Sequence, residues 1–161
     1  PIQGVIMIDS PIRPPDYDYS THTRSGPIRK IKTYPDKKTI LERFRLTPEQ
    51  DCNNKYILDY IAKWSIRESN GGYEWKFDDS LFDKLGFGHM TRSIAFELSC
   101  KLGILYGTKS SMFSDEILNY ARSSAKKGTR IIPIEDAAHH IPLDQPVKLV
   151  QEILRMIDKW K

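Results

Sequence analysis

Three short apolar runs stand out along the chain: Gly4–Asp9, Gly103–Gly107 and Arg130–Glu135. None alternates as a strand with one wet face does. Unbroken runs predict strands buried on both sides, as in a parallel sheet covered by helices. Pro133 lies inside the third run and cannot donate to a ladder, which assigns that strand to an edge. Between the second and third runs the pattern changes to a helical period. Ser114 predicts an N-cap, Asp115 and Glu116 fill the first turn, and Ile117, Ala121 and Ala125 recur on one face. Lys126, Lys127 and Gly128 supply the charge and the glycine that close a helix. A last helix starts near Pro146, with Val150, Ile153, Leu154 and Ile157 at helical spacing. The C-terminal third thus reads helix, strand, helix, strand, helix, the alternation of an α/β sheet protein.

The middle of the chain follows other rules. Prolines at 11, 14, 15, 27 and 35 predict irregular loop. Asp36 then caps a helix carrying Ile40, Leu41 and Phe44, and Asn53 or Asn54 caps a second with Ile57, Tyr60, Ile61 and Trp64 as its stripe. Asn70-Gly71-Gly72 is a turn, after which Tyr73, Trp75 and Phe77 alternate like a short strand. A third helix is expected over about 89–98. No internal repeat or low-complexity tract interrupts the chain. The expected organisation is a first core strand over 1–10, a mainly helical insertion over 11–98, and the rest of the core over 99–161.

Composition narrows the possibilities. A length of 161 residues suits about one domain with a sizeable core, and 39% hydrophobic residues argues against wholesale disorder. No apolar run approaches the roughly 18 residues of a membrane span. The chain opens on Pro-Ile-Gln with no signal pattern and enters a strand almost at once, the expectation for a fragment or one half of a split protein. With 25 Lys and Arg against 21 Asp and Glu, the net charge of +4 is too mild to imply nucleic acid. Cys52 and Cys100 lie 48 residues apart, a spacing of neither a metal knuckle nor a redox pair. Reduced, packed thiols and a cytoplasmic setting are expected, with no metal and no cofactor.

The most informative stretch is Glu135-Asp136-Ala137-Ala138-His139-His140-Ile141-Pro142-Leu143-Asp144-Gln145-Pro146. A strand ends, a short loop presents a histidine, and a helix begins. The stretch resembles the histidine loop of the α/β-hydrolase family, in which an acidic residue follows the histidine by five positions and a proline by seven. Asp144 and Pro146 fit that spacing from His139, whereas His140 misses it by one. Gly4-Val5-Ile6-Met7-Ile8-Asp9-Ser10-Pro11 resembles the family's sixth strand, and Gly103-Ile104-Leu105-Tyr106-Gly107 its seventh. The resemblance covers nearly the whole chain. It implies an α/β class of partial α/β-hydrolase fold: three parallel strands, flanking helices and a mainly helical cap insertion.

The resemblance also implies a nucleophile, an acid and a histidine. A hydroxyl is a poor nucleophile until a neutral imidazole takes its proton, and a carboxylate on the other ring nitrogen fixes the tautomer. His139 is the expected base. The family's commonest acid position, a Gly-x-x-Asp turn after the seventh strand, reads Gly107-Thr108-Lys109-Ser110 here, so Ser110 cannot serve as the acid. A minority of members place the acid at the end of the sixth strand, where this chain has Asp9. Asp9 is therefore the expected acid and Asp115 the fallback; the plain alternative for Asp9 is a structural strand-end residue. His140 is assigned to packing beside the site, and His22 and His89 to no motif.

Gly-x-Ser-x-Gly occurs nowhere in the chain, and Gly88-His89-Met90-Thr91-Arg92 lacks both the serine and the closing glycine. In the family the nucleophile turn and the oxyanion donors precede the sixth strand. The expected partner is accordingly the missing N-terminal half of the hydrolase core, and this chain alone is expected to be inactive. The implied function is hydrolysis of a small, partly apolar ester-like or related substrate by a serine nucleophile, or by an aspartate in dehalogenase or epoxide-hydrolase chemistry. Three strands alone would leave an open edge that invites association. Trp64, Tyr73, Trp75, Phe77, Met112 and Phe113 are candidates for an apolar pocket, but aromatics at such spacing belong more often to a core, so none is assigned. The rival function is non-catalytic: Arg24, Arg29, Lys30, Lys32, Lys37, Lys38, Arg43 and Arg45 form a basic stretch for an anionic partner. A solvated face is the commoner role of such a run, and no aromatic nucleic-acid motif accompanies it.

Overall fold

A computed structural model of the chain describes residues 1–17, 31–80 and 94–161. The fold comprises two compact units, Pro1–Tyr17 with Thr91–Lys161, and Asp18–Met90. The first unit is built on three parallel strands: β1 (Gly4–Ile8), β4 (Lys101–Gly107) and β5 (Arg130–Ile134), in the order β1-β4-β5. Residues 4–8 of β1 pair with 101–105 of β4, and residues 103–107 of β4 pair with 130–134 of β5. All three C-terminal ends therefore lie along one edge. Pro133 sits in an outer strand, as its missing donor requires.

The unbroken apolar runs are explained by what covers the sheet. Helix α4 (Asp115–Ser124) packs on one face, where Leu102, Ile104 and Tyr106 meet Ile117, Leu118 and Ala121. Val5, Met7 and Ile131 pack against the same cluster. Helix α6 (Pro146–Trp160) covers the other face, where Leu105 and Ile134 meet Leu149 and Met156, with Ile6, Ile8 and Ile132 alongside. Alternate positions of each strand thus point to opposite apolar layers, and neither face is left for polar residues. Each fully buried Ile or Leu contributes about 1.5–3 kcal/mol relative to an exposed one.

The helices refine the sequence expectations. Ser114 caps α4 as expected, its hydroxyl accepting from Ile117 N–H at 3.4 Å. The helix stops at Ser124, and Ala125 turns extended as the C-cap, so the predicted stripe runs one residue past the helix end. In α6 the buried positions are Leu149, Glu152 and Met156, with Ile153 and Trp160 packed beside them. Val150, Leu154 and Ile157, grouped with Ile153 in the sequence, are exposed, together with Val147. The physical reason is the close fit at Gly103 and Gly4. An added Cβ on Gly103 would stand 2.4 Å from Met156 Sδ, and one on Gly4 would strike the Trp160 ring. Those contacts fix which side of α6 meets the sheet. Of the helix expected over about 89–98, Ile94–Glu97 forms helix α3 and Leu98 lies past its end; residues 89–93 lie outside the described residues.

The second unit contains α1 (Lys37–Leu41), α2 (Lys55–Trp64) and an antiparallel hairpin of β2 (Ile66–Ser69) and β3 (Gly72–Trp75). Asp36 caps α1 as expected, accepting from Thr39 N–H at 2.8 Å and from its hydroxyl at 2.9 Å. The helix ends before Phe44. Arg45 donates to the carbonyls of Glu42 and Phe44, which removes their demand for further helical partners. Phe44 instead meets Trp75 at a ring separation of 5.8 Å. Along α2, Tyr60, Ile61 and Trp64 lie exposed and Ala62 is buried, so the predicted stripe is not the buried face. Strand β2 was not anticipated, because its exposed Arg67 and Glu68 hide it beside the Asn70-Gly71 turn. Of the basic stretch, Arg24, Arg29 and Lys30 lie outside the described residues, and Lys37 rests over the Tyr73 ring. Among the described residues, Cys52 and Cys100 are free thiols, and no helix is long and apolar enough to cross a membrane.

Two expectations follow from this packing. Ile134→Ala removes a fully buried side chain from the α6 side of the sheet. It should lower unfolding stability by about 2–5 kcal/mol in a urea titration, the range for such cavities; a loss within the error of the titration would contradict the burial. The Thr39 N–H and then the Thr39 hydroxyl hold the Asp36 carboxyl below its ordinary value of 3.8. Its capping contribution is therefore fully present above that value and lost as pH falls through the lowered one. The Thr39 amide shift, followed by NMR, should titrate with a midpoint below 3.8; a midpoint above it would mean that the cap is not formed.

Candidate active site

Because the three strands are parallel, the segments that follow them emerge together at one edge of the sheet, where ligands of open α/β sheets bind. Asp9 follows β1 directly. Its N–H still joins the ladder, donating to Leu105 C=O at 2.8 Å, but its φ of 45° turns the chain sharply away. That left-handed conformation is uncommon for a residue with a side chain, though aspartate tolerates it better than most. Asp9 is only 1% exposed. A buried carboxylate needs donors, and three converge on it. Gly107 N–H donates to Oδ1 at 2.9 Å, and the Ser110 hydroxyl donates to Oδ2 at 2.6 Å. The third is the His139 ring, whose Nδ1 lies 2.7 Å from Oδ2.

His139 is delivered by a loop anchored at both ends. After β5, Asp136 takes a left-handed turn (φ 58°) and donates its N–H to the Thr108 hydroxyl at 3.1 Å. Its carboxylate pairs with Lys109 at 2.8 Å. The hydrogen bond, reinforced by the opposite charge, holds Asp136 below and Lys109 above their ordinary values. Lys109 N–H donates to Ala137 C=O at 2.9 Å, stitching the loop after β4 to the loop after β5. On the far side Asp144 Oδ2 accepts from Ala138 N–H at 2.8 Å. This gives the five-residue spacing a physical meaning: the acidic residue ties down the backbone just before the histidine. Asp144 ends α5 (Ile141–Asp144), a short helix the sequence did not reveal, and Pro146 then opens α6. Gly107 permits the closest approach. A Cβ there would stand 2.3 Å from Ala137 O and 2.5 Å from Ala138 O, so a side chain would push the histidine loop off the strand.

The chemistry of the pair follows from its atoms. An ionised carboxylate only accepts, so facing one Nδ1 would carry the ring proton and donate it to Asp9. In that tautomer a neutral ring would leave its lone pair on Nε2, the arrangement a general base needs. The His139 side chain is 27% exposed, so the ring is reachable while its partner is not. Asp9 and His139 come together from segments 130 residues apart. Asp115 lies exposed in the first turn of α4. His140 packs edge-on against His139 at a ring separation of 4.9 Å, in keeping with its assignment to packing beside the site. Phe113 is buried and stacks on Tyr106 at 5.3 Å, whereas Trp64 and Phe77 are exposed. His22, His89 and the segment 88–92 lie outside the described residues. The sequence had set Ser110 aside as a residue that cannot be the acid. Its hydroxyl contact to Asp9 was signalled only by its place in the Gly107-Thr108-Lys109-Ser110 turn.

No family model matches the chain, and no curated protein matches it. Solved structures do. A thioesterase domain from the curacin biosynthetic pathway superposes with a TM-score of 0.64 at 18% identity, over 95% of this chain and 58% of that one. An E-2-(acetamidomethylene)succinate hydrolase gives 0.65 at 15% identity, over 79% and 47%. A marine microorganism esterase gives 0.64 at 19% identity, over 96% and 60%. The chain thus spans about half the length of these structures. At such low identity the likeness is one of fold. With the β1-β4-β5 sheet and its covering helices, it shows that this chain has the C-terminal portion of the α/β-hydrolase fold.

Proposed function

We propose that the chain carries the acid and the base of an α/β-fold hydrolase, with Asp9 orienting His139 and His139 serving as general base and then general acid. The nucleophile, a serine or an aspartate, and the oxyanion donors would come from a complementary N-terminal half of the core. The observation that carries this proposal is the 2.7 Å contact between His139 Nδ1 and a carboxylate buried at the end of another strand. A lone surface histidine has no need of such a partner, whereas a base that must hold one tautomer does.

Two features support the complementary half. Among the described residues β1 pairs only with β4, so its outer edge keeps unpaired N–H and C=O groups. On α6, Val147, Val150, Leu154 and Ile157 are 43–69% exposed and recur at three- and four-residue steps, the spacing of a helix face that packs. A further strand on β1 and a further element on α6 would satisfy both. The substrate class is a small, partly apolar ester-like molecule, and the second unit corresponds in chain order to the family's cap insertion. No cofactor is required by this chemistry, and a cytoplasmic location is part of the same proposal.

The test is turnover of a p-nitrophenyl ester by a polypeptide that joins this chain to a nucleophile-bearing half. The 161-residue chain alone should not exceed the buffer rate. In the joined protein His139→Ala should lower kcat by roughly 10⁴-fold or more, the scale on which triad bases act. Undiminished turnover would remove His139 from the mechanism. Asp9→Asn should cost roughly 10⁴-fold, because an amide on Nδ1 favours the wrong tautomer. If Asp9→Asn is silent and Asp115→Asn is severe, the acid is Asp115 instead.

A further inference from the structure

We infer that Ser110 is a positioning residue: its hydroxyl fixes the plane of the Asp9 carboxylate and thereby aims it at His139. This inference rests on the proposed roles of Asp9 and His139 and adds a residue to them.

The argument begins with the freedom of the carboxylate. The torsion that sets the plane of an aspartate carboxyl group is broad, with no sharp staggered wells. One donor on one oxygen leaves the group free to twist about that contact. Gly107 N–H supplies that first donor, on Oδ1. The second oxygen, Oδ2, is the one that faces His139 Nδ1 at 2.7 Å, and it also takes the Ser110 hydroxyl at 2.6 Å. With a donor on each oxygen, the plane is set before the imidazole arrives.

The hydroxyl itself is directed. Ser110 Oγ accepts from Met112 N–H at 3.1 Å, which occupies one lone pair and leaves its single proton for Asp9. The residue is 8% exposed, and its own N–H donates to Gly107 C=O at 3.0 Å, so the turn that carries it is closed. A chain of donors therefore runs from Met112 N–H through the Ser110 hydroxyl to Asp9 Oδ2, where it meets the proton coming from His139. Each bond in such a buried chain polarises the next. Serine is the smallest side chain that can stand in this turn and reach the carboxylate. Alanine would leave one lone pair of a buried carboxylate without its donor.

The test is ¹⁵N–¹H NMR of the ring nitrogens of the 161-residue chain, with the His139 signals assigned by their loss in His139→Gln. The unaltered chain is expected to show His139 as the Nδ1–H tautomer, with a low-field proton resonance from its bond to Asp9. Ser110→Ala should lose that resonance and mix the two tautomers while the backbone amide spectrum is retained, and Ser110→Thr, which keeps a hydroxyl, should preserve it. Should Ser110→Ala loosen the fold, Ser110→Cys fills the same space with a weak donor and is expected to show the same loss. A resonance and tautomer unchanged in the folded Ala or Cys variant would overturn the role of Ser110 and leave the Asp9–His139 pair intact. Absence of the low-field resonance in the unaltered chain, with no tautomer change in Asp9→Asn, would overturn the pair itself and this inference with it.

Discussion

A carboxylate taken out of water must be surrounded by hydrogen-bond donors, and Asp9 meets that demand at the end of β1 with donors from two other segments. The rest of the core is arranged so that those donors arrive. Parallel pairing brings the ends of β1, β4 and β5 to one edge. Two apolar layers, one under α4 and one under α6, hold the strands in that register. A shift of one residue would turn every apolar side chain to the wrong layer. The sheet therefore brings the site's segments together, and the loop hydrogen bonds complete their placement.

Much of this was legible in the sequence, for identifiable reasons. Continuous apolar runs announced strands covered on both faces, and the proline in β5 announced an edge. The cap at Ser114 and the start of α6 at Pro146 were written in single residues whose chemistry is local. The pairing of Asp9 with His139 was reachable only through the resemblance, since nothing in the spacing of two residues 130 apart states that they meet. Ser110 shows the limit most clearly. It occupies a position where an acid was sought, and its contribution as a donor becomes visible only once the carboxylate is located across from it.

Where the pattern misled in the helices, the cause was the same: periodicity tells which residues share a helix face but not which face meets the core. In α6 two apolar stripes compete, and the glycines at 4 and 103 decide between them by admitting Trp160 and Met156. In α2 an aromatic ridge of Tyr60 and Trp64, 6.1 Å apart ring to ring, resembles a buried stripe yet lies exposed. Strand β2 escaped notice because both faces of so short a hairpin carry charge, with Arg67 and Glu74 paired across it at 3.6 Å.

The bare backbone at Gly107 has a further consequence. Two carbonyls of the histidine loop occupy the volume where any other residue would begin its side chain, and the N–H of the same glycine holds Asp9. One position thus sets the separation of the Asp9 carboxylate and the His139 loop from both directions, as a shim sets a gap. Any methyl group added there would spread the two partners without altering either, so the tuning of their distance is closed to gradual change at this point and open only through residues farther round the loops.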